Sequence, residues 1–191
     1  MSIFWIASYP KSGNTWVRSL ISSLFFSNSG TFSFDLLNKI QLFDFPNQYK
    51  FINTAVNYKN LNEFAKFRKL AQEKFLLNKK INDLYFFKTH SANLKINNFE
   101  YTDQSVSSGL IYIVRDPRDV VVSWAKHQNS SIDEIIKLIT NRETINFNPP
   151  KKNNENINKI RIPVHLSSWD QNFLSWQTLK VPSLVIKYED M

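Results

Sequence analysis

Apolar and polar positions fall into blocks along this chain, and each block has a length and period that suit one element. Ile3-Phe4-Trp5-Ile6-Ala7 is a continuous apolar run of strand length. Past a polar stretch the pattern turns amphipathic over 15–26, which predicts a helix. Leu61, Phe64, Ala65, Phe67, Ala71, Phe75 and Leu76 recur at helical spacing and predict a second helix over 60–78. Leu84 to Lys88 is a short β-rich run, and Leu110 to Val114 reads as a buried strand. Asp116 can cap the next helix, with Pro117 at its first position and Asp119 three residues after the cap. That helix carries Val120-Val121-Val122 and Trp124, and Ser131 can cap another from Ile132 to Thr140. Residues 146–162, with Pro149-Pro150 and Lys151-Lys152, predict a polar loop; Val164 to Leu179 predicts a helix and Ser183 to Lys187 a last strand.

Strands and helices in alternation, with apolar strand runs, predict an α/β fold: a parallel sheet flanked by helices on both faces. Ligands of such sheets bind beyond the carboxyl ends of the strands. Residues 9–16, 88–90, 115–123 and 188 all fall at such ends. No linker or internal repeat divides the chain, so 1–191 reads as a single domain.

Composition narrows the classes. Hydrophobic residues are 42% and aromatics 15%, a globular balance rather than a disordered one. The absence of Cys excludes disulfides and thiolate metal sites and agrees with a cytoplasmic location. A strand beginning at Ile3 leaves no room for a signal or transit peptide. No apolar run approaches the roughly 20 residues that span a bilayer, so no membrane partner is expected. The net charge of +8, from 24 Lys and Arg against 16 Asp and Glu, favours a polyanionic partner. The basic residues are scattered or share one helix face (Lys66, Arg68, Lys69, Lys74) and do not alternate with aromatics. That favours a small polyanion over nucleic acid.

The candidate chemistry starts at Tyr9-Pro10-Lys11-Ser12-Gly13-Asn14-Thr15-Trp16, between the first strand and the first helix. A loop there points successive N–H groups at one place, at the positive end of the helix dipole, and suits phosphate. Lys11 adds a full charge, and Trp16 a flat face for a base. Set against the NTPase loop G-x-x-x-x-G-K-[ST] and aligned on Gly13, the first glycine becomes Ser8 and the lysine becomes Asn14, while Thr15 fits. The lysine has moved back to position 11, so the anion cradle is kept without the lysine that an ATPase or GTPase sets on its β and γ phosphates. In Phe87-Lys88-Thr89-His90 the imidazole suits proton removal near neutral pH, and Lys88 can neutralise developing charge. From Tyr112 to Ser123, Arg115 leaves a strand end where a guanidinium can fork onto phosphate, Ser123 can add a hydroxyl, and Asp116 reads as a cap. Trp169 and Trp176 read as packing, ahead of a strand that ends in Tyr188-Glu189-Asp190.

These segments, in this order, resemble the cytosolic-type sulfotransferases. That family has a P-loop-like α/β fold and takes 3′-phosphoadenosine 5′-phosphosulfate (PAPS) as sulfuryl donor. Tyr9 to Trp16 is similar to its 5′-phosphosulfate loop, with Asn14 where the family pattern has Thr; Asn still donates a hydrogen bond. Lys88-Thr89-His90 resembles its catalytic segment, and 112–123 its 3′-phosphate stretch. The resemblance implies that Lys11 with Ser12, Gly13, Asn14 and Thr15 holds the 5′-phosphosulfate, that Arg115 and Ser123 hold the 3′-phosphate, and that Trp16 and Tyr188 reach the adenine. His90 would be the general base, with Lys88 and Lys11 stabilising negative charge and no metal required. A hydroxyl or amine acceptor on a small molecule or sugar is implied, with the Phe-rich 25–52 stretch and the 146–162 loop as candidate lining. The family continues past its Tyr-Glu-Asp strand, so the chain is expected to be a C-terminally truncated member with an incomplete sheet and uncovered apolar surface. Three other readings stay open: a nucleotide-binding fragment without catalysis, a magnesium-dependent kinase or NTPase, and non-specific nucleic-acid binding. Neither the acceptor nor the oligomeric state is legible.

Overall fold

The computed structural model describes residues 2–50, 60–77, 79, 83–147 and 162–191. In chain order the elements are β1 (Ser2–Ser8), α1 (Asn14–Phe26), β2 (Gln41–Leu42), α2 (Leu61–Leu77), β3 (Leu84–Thr89), β4 (Ser107–Val114), α3 (Pro117–Gln128), α4 (Ile132–Thr140), β5 (Ile145–Phe147), β6 (Pro163–His165), α5 (Trp169–Gln177) and β7 (Ser183–Lys187). Short 3-10 helices occupy Phe34–Lys39, Pro46–Tyr49 and Tyr188–Asp190. Five strands form one parallel sheet in the order β2-β3-β1-β4-β7. The chain builds outward from β1 to one side through β3, then returns to pair β4 against β1's other edge. The carboxyl ends of β1 and β4 therefore bound the switch-point crevice where ligands of such sheets sit.

Alternation along the strands sorts the core into two layers. Ile3, Trp5 and Ala7 of β1 join Phe87, Leu110 and Tyr112 on one face, covered by Phe64, Ala71 and Leu76 of α2 and Trp176 of α5. Ile6 joins Phe86 and Ile113 on the other, covered by Val17 and Ile21 of α1. Trp5 is the centre of the first layer. Its ring meets those of Phe43, Phe87, Tyr101 and Trp176 at centroid distances of 5.3 to 6.3 Å, and its Nε1 donates to Ser107 Oγ at 2.9 Å. Truncating such a residue to Ala costs about 3–5 kcal/mol. Gly109 is required where β4 passes β1, because a Cβ there would come within 2.3 Å of the Phe4 ring.

Three expectations need correction. Val164 and His165 lie in β6, not in a helix; β6 pairs antiparallel with β5, Ser167 takes a left-handed φ of 59°, and α5 starts only at Trp169. Of the expected polar loop, Asn146 pairs with Val164 and Phe147 with Pro163, and 148–161 lie outside the described residues. Arg68 is not on the solvated face of α2 but fully buried, because it follows Phe64 by one turn. Its guanidinium lies 5.9 Å from the Phe64 ring centre and 5.4 Å from that of Tyr101. Helices flank the sheet without covering all of it: β7 is an edge strand, and its Leu184 is 55% exposed beside an exposed Val185. Leu20 and Leu24 of α1 are likewise 71% and 72% exposed.

Candidate active site

The turn after β1 holds its donors open. Lys11 takes φ 66° and Gly13 φ 92°, a conformation an L side chain adopts at a cost. Gly13 also has no room for a side chain, since a Cβ would lie 2.5 Å from the Tyr188 ring. α1 then begins at Asn14 with no side-chain cap. Among the described residues, the N–H groups of Ser12, Gly13, Asn14 and Thr15 have no protein acceptor, and the buried Ser12 Oγ has no partner. Four unspent amides at a helix N-terminus form a site for an anion with several oxygens.

Asn14 departs from expectation. Its side chain is buried and turned inward, donating through Nδ2 to Ile6 O and to Ser8 Oγ, each at 3.2 Å. Two buried acceptors at the end of β1 draw the amide away from the loop mouth, and only its backbone N–H faces the anion cradle.

The register of β1 on β3, Ala7 opposite Thr89, sets His90 beside Ser8. His90 Nδ1 lies 2.8 Å from Ser8 O and 3.3 Å from Ser8 Oγ. A carbonyl oxygen only accepts, so Nδ1 carries the hydrogen and Nε2 keeps its lone pair. Burial, with Lys88 next in weight and Arg18 and Lys11 adding repulsion, lowers His90 to about 3 despite the Ser8 hydrogen bond. The ring is therefore neutral at pH 7. Burial, followed by repulsion from Arg18, lowers Lys88 to about 8 against the pull of Asp44.

A buried polar network underlies this segment. Thr89 Oγ1 donates to Asp44 Oδ2 at 2.6 Å and accepts from Tyr101 OH at 2.9 Å and Ser91 N at 3.0 Å. Desolvation raises the Asp44 carboxyl above its ordinary value. From α5, Asn172 Nδ2 donates to His90 O at 2.9 Å and Trp176 Nε1 to Ser91 O at 2.9 Å. Trp176 is thus core packing, as expected, and a tether as well. Asp44 and Asn172 escaped the sequence reading. An acid set between Phe43 and Phe45 was the one available signal for Asp44.

On the other side of β1, Arg115 leaves the end of β4 and donates from Nη1 to Lys11 O at 3.0 Å. Its guanidinium stacks 4.1 Å from the Tyr188 ring centre, and its buried Nε has no partner among the described residues. Asp116 caps α3, accepting from Arg118 N at 2.9 Å, and its own N–H donates to Glu189 Oε1 at 3.0 Å. Arg115 therefore ties Lys11 to Tyr188, whose ring lies against Gly13, while His90 is held on Ser8 at the end of β1. Trp16 is 73% exposed and Ser123 half-buried, and among the described residues neither side chain makes a hydrogen bond to this group. Of the expected aromatic acceptor lining, Phe43 and Tyr49 are in the core, while Phe32 and Phe34 are exposed. Among the described residues no group of three or more His, Asp or Glu could hold a metal ion, and no helix is long and apolar enough to cross a membrane.

The family model described as "Sulfotransferase domain" matches residues 2–191. The chain belongs to the sulfotransferase domain family. No curated protein matches it. Among solved structures it is similar to mouse sulfotransferase SULT7A1 complexed with PAP, at 18% identity and a TM-score of 0.49. That match covers 100% of this chain and 52% of the other, so the chain spans about half the length of the solved relative. The sulfotransferase domain here is the five-stranded parallel sheet with its flanking helices, as the alternation of elements led one to expect.

Proposed function

We propose that this sulfotransferase domain binds PAPS at the β1–α1 turn and passes its sulfuryl group to a hydroxyl or amine, with His90 as the base. The observation that carries the reading is the state of His90: neutral, its Nδ1–H held on Ser8 O at 2.8 Å, its Nε2 free to accept. It stands at the same end of the sheet as four unspent amides and an unpartnered, buried Ser12 Oγ, which fit a phosphosulfate.

When bound, the donor supplies the sulfuryl group. Lys11 and the amides of Ser12 to Thr15 would neutralise the 5′ charge. Arg115, steadied by Lys11 O and Tyr188, would turn its remaining N–H edge to the 3′-phosphate together with Ser123. Trp16 and Tyr188 offer ring faces to the adenine. His90 Nε2 takes the acceptor's proton, while Lys11 and Lys88 stabilise charge on the departing phosphate oxygen. Such electrostatic support is worth on the order of 2.7–4 kcal/mol of the barrier per group. The acceptor is a small molecule or sugar, and the lack of Cys suits a reducing, cytoplasmic compartment.

The test pairs calorimetric titration with 3′-phosphoadenosine 5′-phosphate and transfer of labelled sulfate from PAPS to a panel of phenols, alcohols, amines and sugars. Binding with transfer supports the reading. Binding without transfer reduces the domain to a nucleotide-binding unit, and magnesium-stimulated ATP hydrolysis in place of either replaces it with an NTPase.

A further inference from the structure

We propose that Arg18 is a specificity-determining residue that receives an anionic group of the acceptor, beside Lys88 and His90. The proposal rests on the reading of this end of the sheet as the site of transfer. It narrows the acceptor to one that carries an oxyanion, such as a carboxylate, as well as its hydroxyl or amine. Arg18 stands one turn past Asn14 on α1 and reaches over to the segment ahead of β2, where its Nη2 donates to Leu37 O and to Ile40 O, each at 2.7 Å. Ile40 lies in the layer under α1 with Phe86. Lys88 follows Phe86 by two residues on β3, so its side chain leaves the same face of the sheet. Leu42 pairs with Lys88, which brings the Ile40 carbonyl, and the guanidinium on it, to the carboxyl end of β3.

A clamp on two carbonyls accounts for Nη2 and for nothing else. An uncharged amide can make such bonds without bringing a charge. Arg18 Nε is buried without a partner, and Nη1 has no acceptor among the described residues. Nor does any acid pair with the guanidinium among those residues. Its charge is nonetheless felt in the site. After burial, repulsion from Arg18 is what lowers Lys88, and Arg18 adds to burial and Lys88 in keeping His90 neutral. Lys11, Arg18 and Lys88 thus converge on a neutral ring, an arrangement of like charges that invites an anion. The donor neutralises Lys11 and Lys88 in the proposed reaction. Arg18, held against the 37–40 segment, keeps spare N–H groups for a second anion, and an oxyanion there would occupy them with charge-assisted hydrogen bonds.

The test titrates 4-hydroxyphenylacetate, and separately its methyl ester, into the 191-residue chain labelled with 15N and free of donor. It reads the Arg18 Nε–H signal, assigned through its own backbone, beside the amides of Ser12 to Thr15. The acid should move Arg18 Nε–H and bind at least about tenfold tighter than the ester, the worth of one hydrogen bond to a charged group. Arg18→Gln, which keeps an amide for the Leu37 and Ile40 carbonyls, should bring acid and ester within about twofold, and Arg18→Lys should restore part of the difference. Should neither variant fold, the wild-type spectra decide. Equal binding of acid and ester, or none of either, overturns the proposal. A shift confined to the amides of Ser12 to Thr15 also overturns it, by seating the carboxylate in the donor cradle. So does an Arg18→Gln chain that loses affinity for 3′-phosphoadenosine 5′-phosphate and keeps the acid-to-ester ratio, which gives the guanidinium to the donor. The acid and ester titrations need no nucleotide, so an acid seated on Arg18 in a chain that transfers no sulfate defeats the proposed function and leaves this site standing.

Discussion

The turn after β1 and the shelf at the end of β3 sit side by side and are built on opposite terms. In the turn, the N–H groups of Ser12 to Thr15 have no acceptor among the described residues and Lys11 holds a positive φ. In the shelf, the carbonyls of Lys88, His90 and Ser91 accept from Phe43 N, Asn172 Nδ2 and Trp176 Nε1, and Thr89 Oγ1 has three partners. A surface meant to receive an anion must keep its donors free, and the fold carries the cost of leaving them so. A group meant to take a proton at a fixed point needs the reverse, a ring whose neighbours allow it one orientation. Ser8 belongs to both halves, which is why the two meet at β1.

Substitutions should separate the halves. The largest effect falls on transfer: His90→Ala should lower the rate by about 10²–10⁴-fold, the usual worth of a general base, while the affinity for 3′-phosphoadenosine 5′-phosphate stays within about twofold. Equal losses in rate and affinity would show that the ring belongs to the cradle. Next comes Asp44→Ala, which leaves the buried hydroxyl of Thr89 without its acceptor and removes the longer of the contacts made by Tyr101 OH. It should cost about 1–3 kcal/mol of stability by denaturant titration, against no stability change for Lys11→Ala. Trp16→Ala should weaken nucleotide binding by about 1–3 kcal/mol through lost stacking and leave the melting curve where it was, because the ring is mostly exposed. The smallest effect is in the pH profile. Lys88 loses its charge through about 8, so the rate should fall above that pH and the fall should move upward in Lys88→Arg. His90, depressed to about 3, should give no acid limb near 6.5. The same depression has a stability sign: the unfolded chain binds the proton first, so stability falls as pH drops from about 6.5 toward 3.

Much of the fold is written in local pattern. β1, β3, β4 and β7 are apolar runs of strand length, and α3 and α4 announce themselves by caps that form as read, Asp116 on Arg118 N and Ser131 in a capping box with Glu134. β2 and β6 are not legible, because elements of two and three residues have no period and owe their shape to the strands they pair with. The apolar spacing from Val164 onward imitates a helix until the pairing with β5 is known. The site divides the same way. Lys11, Gly13, His90 and Arg115 lie in short motifs, whereas Asp44 and Asn172 act from 45 and 82 residues away. Asn14 was visible as a residue but not as a direction, since no linear pattern says whether a first-turn side chain faces the loop or the strand behind it.

The central claim is that one nucleotide is held jointly by the turn after β1 and the guanidinium that follows β4. Calorimetric titration of 3′-phosphoadenosine 5′-phosphate into the wild type, Lys11→Ala and Arg115→Ala tests it most directly. The account predicts one saturable site in the wild type and affinity losses of at least tenfold in each variant. A wild type that releases no binding heat at millimolar nucleotide, or variants that bind as well as it does, would contradict it.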